Sequence, residues 1–136
     1  STLWWASRVK DVVSVEHDVM WYRKILPIIP NNVTLEHIEL AYGGQYSQRV
    51  AAYGAKFNLI VIDGRDRVNC ALHAVQALNP DGVIVWDNSN IANYEEGYQF
   101  LYRNGFKKIE FVGLAPIVNW KAETGIFYRS SNCLGI

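Results

Sequence analysis

Along this 136-residue chain the apolar positions follow two periods, one suited to strands and one to helices. The densest apolar run, Phe57 to Ile62, is almost unbroken, the pattern of a strand buried on both faces of a parallel sheet. It closes on Asp63-Gly64. Gly82 to Trp86 repeats the pattern and closes on Asp87-Asn88. Between them Val68, Leu72, Val75 and Leu78 recur at helical spacing. Asn79-Pro80-Asp81-Gly82 then ends the helix with turn chemistry. A right-handed crossover of this kind puts both strand ends on one edge of the sheet, where open α/β sheets bind ligands. Asp63, Asp87 and Asn88 are therefore expected to face one crevice.

The flanking segments extend the alternation. Ser1 to Ser7 suits a short helix with Ser1 or Thr2 as N-cap. Asp11 to Val15 is a short apolar strand ending in Glu16-His17-Asp18. Val19 to Ile28 predicts a helix, closed by Pro30. Val33 to Leu40 alternates apolar and polar residues, as an edge strand does. Gly43-Gly44 makes a turn, and Tyr46 to Tyr53 a short helix. Asn93 to Arg103 is amphipathic, with Tyr94, Tyr98, Leu101 and Tyr102 on one side and Asn104-Gly105 as its stop. Lys107 to Val112 and Thr124 to Arg129 are two last strands with no helical pattern between them, which predicts an antiparallel pair. The order α-β-α-β-α-β-α-β-α-β-β means a doubly wound α/β sheet. Trp4, Trp5, Trp21 and Trp86 are expected in the core.

Composition narrows the function classes. One domain of this length can bury a core. Thirteen acids balance thirteen bases, so no electrostatic footprint for nucleic acid is present. No run approaches the roughly 20 apolar residues of a membrane span, and Ser1-Thr2-Leu3-Trp4-Trp5 lacks the basic start of a signal peptide. Cys70 and Cys133 have neither metal spacing nor a disulfide framework. A reducing cytoplasm is the expected location. No P-loop or Gly-x-Ser-x-Gly elbow occurs.

Two sets of polar residues can carry chemistry. Glu16, at the end of a strand, can accept hydrogen bonds from both hydroxyls of a ribose; the plain alternative is a solvated loop carboxylate. Asp63, Asp87 and Asn88 offer two carboxylates and an amide carbonyl at strand ends, a hard oxygen set suited to Mg²⁺. The plain alternative there is an Asx turn at Asp63-Gly64 and a polar, capping turn over Asp87-Asn88-Ser89-Asn90.

These residues together resemble the class I S-adenosylmethionine-dependent methyltransferases over essentially the whole chain. STLWWASRV resembles the helix after the family's glycine-rich loop, and VVSVEHD its second strand. FNLIVIDG and GVIVWDNSN resemble strands four and five. KKIEFVGLAP and ETGIFYRS resemble the terminal antiparallel pair. The resemblance implies a Rossmann-like, mostly parallel sheet of order 3-2-1-4-5-7-6, with the first strand and its GxGxG loop lacking from this chain. It implies methyl transfer from S-adenosylmethionine to a small-molecule acceptor by in-line displacement. In it Glu16 is the ribose site, His17 and Glu39 border the adenine, and Asp63 orients the methionine end or helps deprotonate the substrate. A weaker similarity links Asp63, Asp87 and Asn88 to the metal trio of the catechol and caffeoyl-CoA O-methyltransferases, with Asp63 and Asp87 then near the reacting groups. Where those families carry a lysine three residues after the first aspartate, this chain has Asp66, flanked by Arg65 and Arg67. The alternatives are a non-catalytic remnant of such a domain, or a nucleotide-binding or interaction module of the same fold.

Overall fold

In the computed structural model, which describes residues 1–115 and 119–136, apolar runs become strands and periodic stretches become helices. Two units result, Ser1–Tyr46 and Ser47–Ile136. The first holds α1 (Thr2–Ala6), β1 (Val12–Glu16), α2 (Val19–Ile25) and β2 (Val33–His37). Asp18 starts α2 by accepting hydrogen bonds from the Met20 and Trp21 amides at 2.8 and 2.9 Å, the standard role of an N-cap carboxylate. The expected helix to Ile28 is shorter: α-helical bonding stops at Ile25 and a 3-10 turn, Leu26–Ile28, takes over. Pro27 lacks the N–H that would continue the ladder. β1 and β2 are parallel, with Val12 opposite Val33 and Glu16 opposite His37. β2 ends at His37 rather than Leu40. Trp4 and Trp21 are about half exposed, at 53% and 50%, and so are not core residues.

Next come α3 (Gln45–Gln48) and a 3-10 turn over Arg49–Tyr53, which share the stretch expected to form one helix. The second unit then runs β3 (Phe57–Ile62), α4 (Arg67–Ala77), β4 (Leu78–Asp87), α5 (Glu95–Arg103), β5 (Lys107–Leu114) and β6 (Lys121–Tyr128). Its sheet has the order β3-β4-β6-β5. β3 and β4 are parallel, whereas β4–β6 and β6–β5 are antiparallel, as the two terminal strands predict. Pro116, within the stretch expected to carry the first of them, lies outside the described residues.

Two local expectations change. Leu78 leaves the helix and opens β4, opposite Phe57; the ladder then resumes at Leu59–Val83, so residues 79–82 form an irregularity inside the strand instead of a turn before it. Pro80 cannot donate to a ladder, which is why pairing skips this segment. The face that α4 buries consists of Ala71, Ala74 and Ala77, all fully buried, with Val68, Leu72 and Val75 only half-buried. In β3, Phe57, Leu59, Ile60 and Val61 are half-buried, Asn58 is exposed and Ile62 is buried. The core belongs to β4 and its neighbours. Val83, Ile84 and Trp86 are fully buried, and Trp86 lies against Tyr98 and Phe127 with ring centroids 4.9 and 5.9 Å away. Gly97 makes this packing possible: a Cβ there would stand 2.6 Å from the Trp86 ring.

Candidate functional site

The parallel register pairs Ile62 with Trp86, so Asp63 and Asp87 follow side by side at the carboxyl ends of β3 and β4, as expected. What joins them is an arginine. Arg67, the first residue of α4, donates to the Asp63 carbonyl at 3.0 Å and the Gly64 carbonyl at 2.9 Å, and to the Asp87 carbonyl through Nη1. Its guanidinium also lies 5.7 Å from the Tyr94 ring centroid. A planar fork with several fixed donors suits this task as an ammonium does not. Residues in the left-handed backbone region shape both turns: Asp66 at φ 50° immediately before α4, and Asn88 at φ 52° after β4. Asp and Asn enter that region more readily than most residues.

This geometry does not fit the expected Mg²⁺ centre. A divalent ion at these strand ends would meet the fixed positive charge of Arg67. The Asp87 carboxylate accepts a hydrogen bond from Thr124 at 3.3 Å, and the Asp63 side chain is exposed. Asp66, at the position of the families' lysine, accepts a hydrogen bond from the Asn69 amide at 2.7 Å. The trio is an arginine-pinned strand end.

In the first unit, Glu16 ends β1 with its carboxylate fixed from one side. Oε1 accepts the His17 and Asp18 amides, both at 2.8 Å, and lies 3.2 Å from His17 Nδ1. No hydrogen bond among the described residues uses Oε2. Backbone donors thus orient the group through Oε1. His17 packs edge-on to Tyr46, ring centroids 5.6 Å apart, and its carbonyl lies 3.2 Å from His37 Nε2. Glu39 is exposed, two residues beyond β2. Glu16 and His17 are brought together; the structure shows no bond joining Glu39 to them.

A third polar group, in the second unit, escapes the sequence. The Lys108 ammonium reaches Glu123 Oε1 at 2.6 Å, Glu110 Oε1 at 3.0 Å and the Ser89 carbonyl at 3.2 Å. The Ser89 hydroxyl donates to the same Glu123 oxygen at 2.7 Å. Burial alone would lower the lysine and raise the acid. The hydrogen bonds and opposite charges outweigh it, leaving Lys108 above and Glu123 below their ordinary values. Gly125 lets Lys108 cross the sheet, since a Cβ there would lie 2.8 Å from its Cε. The available signal was weak: Lys108 and Glu110 share one face of an alternating strand, but nothing in the sequence pairs them with Glu123.

Comparison with known proteins adds the fold's relatives. No family model and no curated protein matches the sequence. Solved structures do. A Klebsiella pneumoniae protein assigned as an O-methyltransferase superposes with a TM-score of 0.67 at 18% identity, over 97% of this chain and 68% of its own. Its likeness, with the β3-β4-β6-β5 ladder and the parallel β1–β2 pair, decides the architecture. The chain has the class I methyltransferase fold. Precorrin-6y C5,15-methyltransferase from Geobacter metallireducens shares it with a TM-score of 0.59 at 12% identity, over 88% of this chain and 67% of its own. Spermidine synthase bound to the transition-state analogue AdoDATO shares it with a TM-score of 0.65 at 13% identity, over 91% of this chain. The chain spans about half of that synthase, 48%. The class I fold therefore carries more than one activity among these relatives, and fold does not by itself assign one.

Proposed function

We propose that this chain binds S-adenosylmethionine and serves methyl transfer to a small-molecule acceptor. The observation that carries the reading is Glu16: a carboxylate at a strand end, oriented by two backbone amides, with Oε2 available to the ribose hydroxyls. His17 and Glu39 would border the adenine. Asp63 would face the methionine end, and Asp87, steadied by Thr124, would orient the acceptor and take its proton. The bound sulfonium supplies an electrophilic methyl group. The acceptor atom gains that methyl and loses a proton, and S-adenosylhomocysteine is released. Alignment accounts for most of the acceleration in such a displacement, so few reacting side chains are required. No metal enters this scheme.

Ultraviolet crosslinking tests the placement. Label from methyl-labelled S-adenosylmethionine should be found on the peptide containing Glu16 and His17, and excess S-adenosylhomocysteine should suppress it. Label spread over unrelated surface peptides, or unaffected by the competitor, would count against it.

A further inference from the structure

β5 is the outermost strand of its sheet, paired with β6 alone among the described strands. Proteins commonly guard such an edge with a proline, a bulge or an outward lysine. The eight residues of β5 contain no proline and run in unbroken register with β6. Lys108 is committed to Glu123 and the Ser89 carbonyl. Phe111, Val112 and Leu114, by contrast, are 57%, 60% and 79% exposed. Two hydrogen bonds fix the phase of the free edge. The Ala115 amide donates to the Trp120 carbonyl at 3.1 Å, while the Glu123 carbonyl, opposite Val112, turns to the Ser89 amide at 2.8 Å. Odd-numbered residues of β5 therefore bond β6. Lys108, Glu110, Val112 and Leu114 turn their N–H and C=O groups outward.

We propose that β5 is a self-association edge, pairing antiparallel with β5 of a second copy about a two-fold axis at Phe111. A symmetric contact needs a surface complementary to itself, and this register supplies one. It sets the outward groups of Lys108 and Glu110 opposite those of Leu114 and Val112 of the second copy, in bonding phase. Phe111 meets its own counterpart at a non-hydrogen-bonded pair, where side chains lie closest and aromatic pairs add stability. Ile109 falls opposite Gly113, beside which there is open space. An axis at Glu110 would oppose two carboxylates, and one at Val112 would shorten the ladder. Each copy brings roughly 300 Å² of exposed apolar side chain, taking about half of a large residue's area for each of the three. With the backbone edges the contact stays below about 1,200 Å², the class of weak, reversible complexes. The surface does not depend on the methyl-transfer reading.

Sedimentation velocity of the 136-residue chain over a concentration series should show a reversible monomer–dimer equilibrium. Phe111→Lys sets two ammonium groups face to face at an exposed position. That variant should stay folded by circular dichroism, and its dimer should weaken about tenfold. Phe111→Cys tests the register. With Cα atoms about 4.5 Å apart across the axis, oxidation should join the two introduced thiols in a disulfide found by peptide mass. Lys107→Cys, displaced along the strand, should not crosslink to itself. A monomer at every concentration, a dimer indifferent to Phe111→Lys, or crosslinking as ready at Lys107→Cys would each overturn the proposal.

Discussion

Arg67 shows how one side chain can settle what a neighbourhood does. Its guanidinium ties three carbonyls at the ends of β3 and β4. Arg67→Ala should lower unfolding free energy by about 1–3 kcal/mol in urea titrations. Arg67→Lys should recover only part of the loss, since a point charge cannot span all three acceptors. The cysteines differ just as plainly. Burial first, and the Asp66 charge second, push the Cys70 thiol up to about 12, while Cys133 is exposed. The thiolate is the reactive form, so iodoacetamide at pH 8 should alkylate Cys133 and leave Cys70 unmodified by peptide mass. The Lys108–Glu123 pair makes stability depend on pH. A carboxyl depressed on folding contributes fully above its ordinary value and loses that contribution as pH falls through the folded one. Calorimetric melting temperatures should therefore fall below about pH 4.5, and Glu123→Gln should flatten that decline.

Elements were legible where one period dominated a long stretch. The apolar runs of β3 and β4 and the period of α5 mark their own positions; the two terminal strands declared their antiparallel pairing by the lack of a helical pattern between them. What pattern could not show is which face a helix buries when the packing is tight. In α4 the branched residues look like the core face, yet the alanines take it, because small side chains let the helix lie close to the sheet. Nor did Asn79-Pro80-Asp81-Gly82, a strong turn signal, reveal that the ladder resumes around it. In α5 the tight contact is Gly97 against Trp86. Gly97→Ala should cost about 1–3 kcal/mol despite alanine's better helix propensity, since an overpacked core outweighs it.

At the scale of the molecule, the ladders within the two units reproduce the neighbours that the class I order prescribes: strands two and three together, then four, five, seven and six. The resemblance implied that order; element order by itself implied a doubly wound sheet with a terminal antiparallel pair. The candidate site was less legible. Glu16 could be singled out because a strand end and a carboxylate coincide in sequence. The roles of Arg67 and Lys108 depend on partners 15 to 20 residues away, which periodicity does not report. Nucleoside recognition at Glu16 is the central claim, and calorimetric titration with S-adenosylhomocysteine, repeated on Glu16→Ala, tests it most directly. Saturable binding by the 136-residue chain, lost in a variant that circular dichroism shows to be folded, is the predicted result. No binding by the folded chain, or equal binding by the variant, would contradict it.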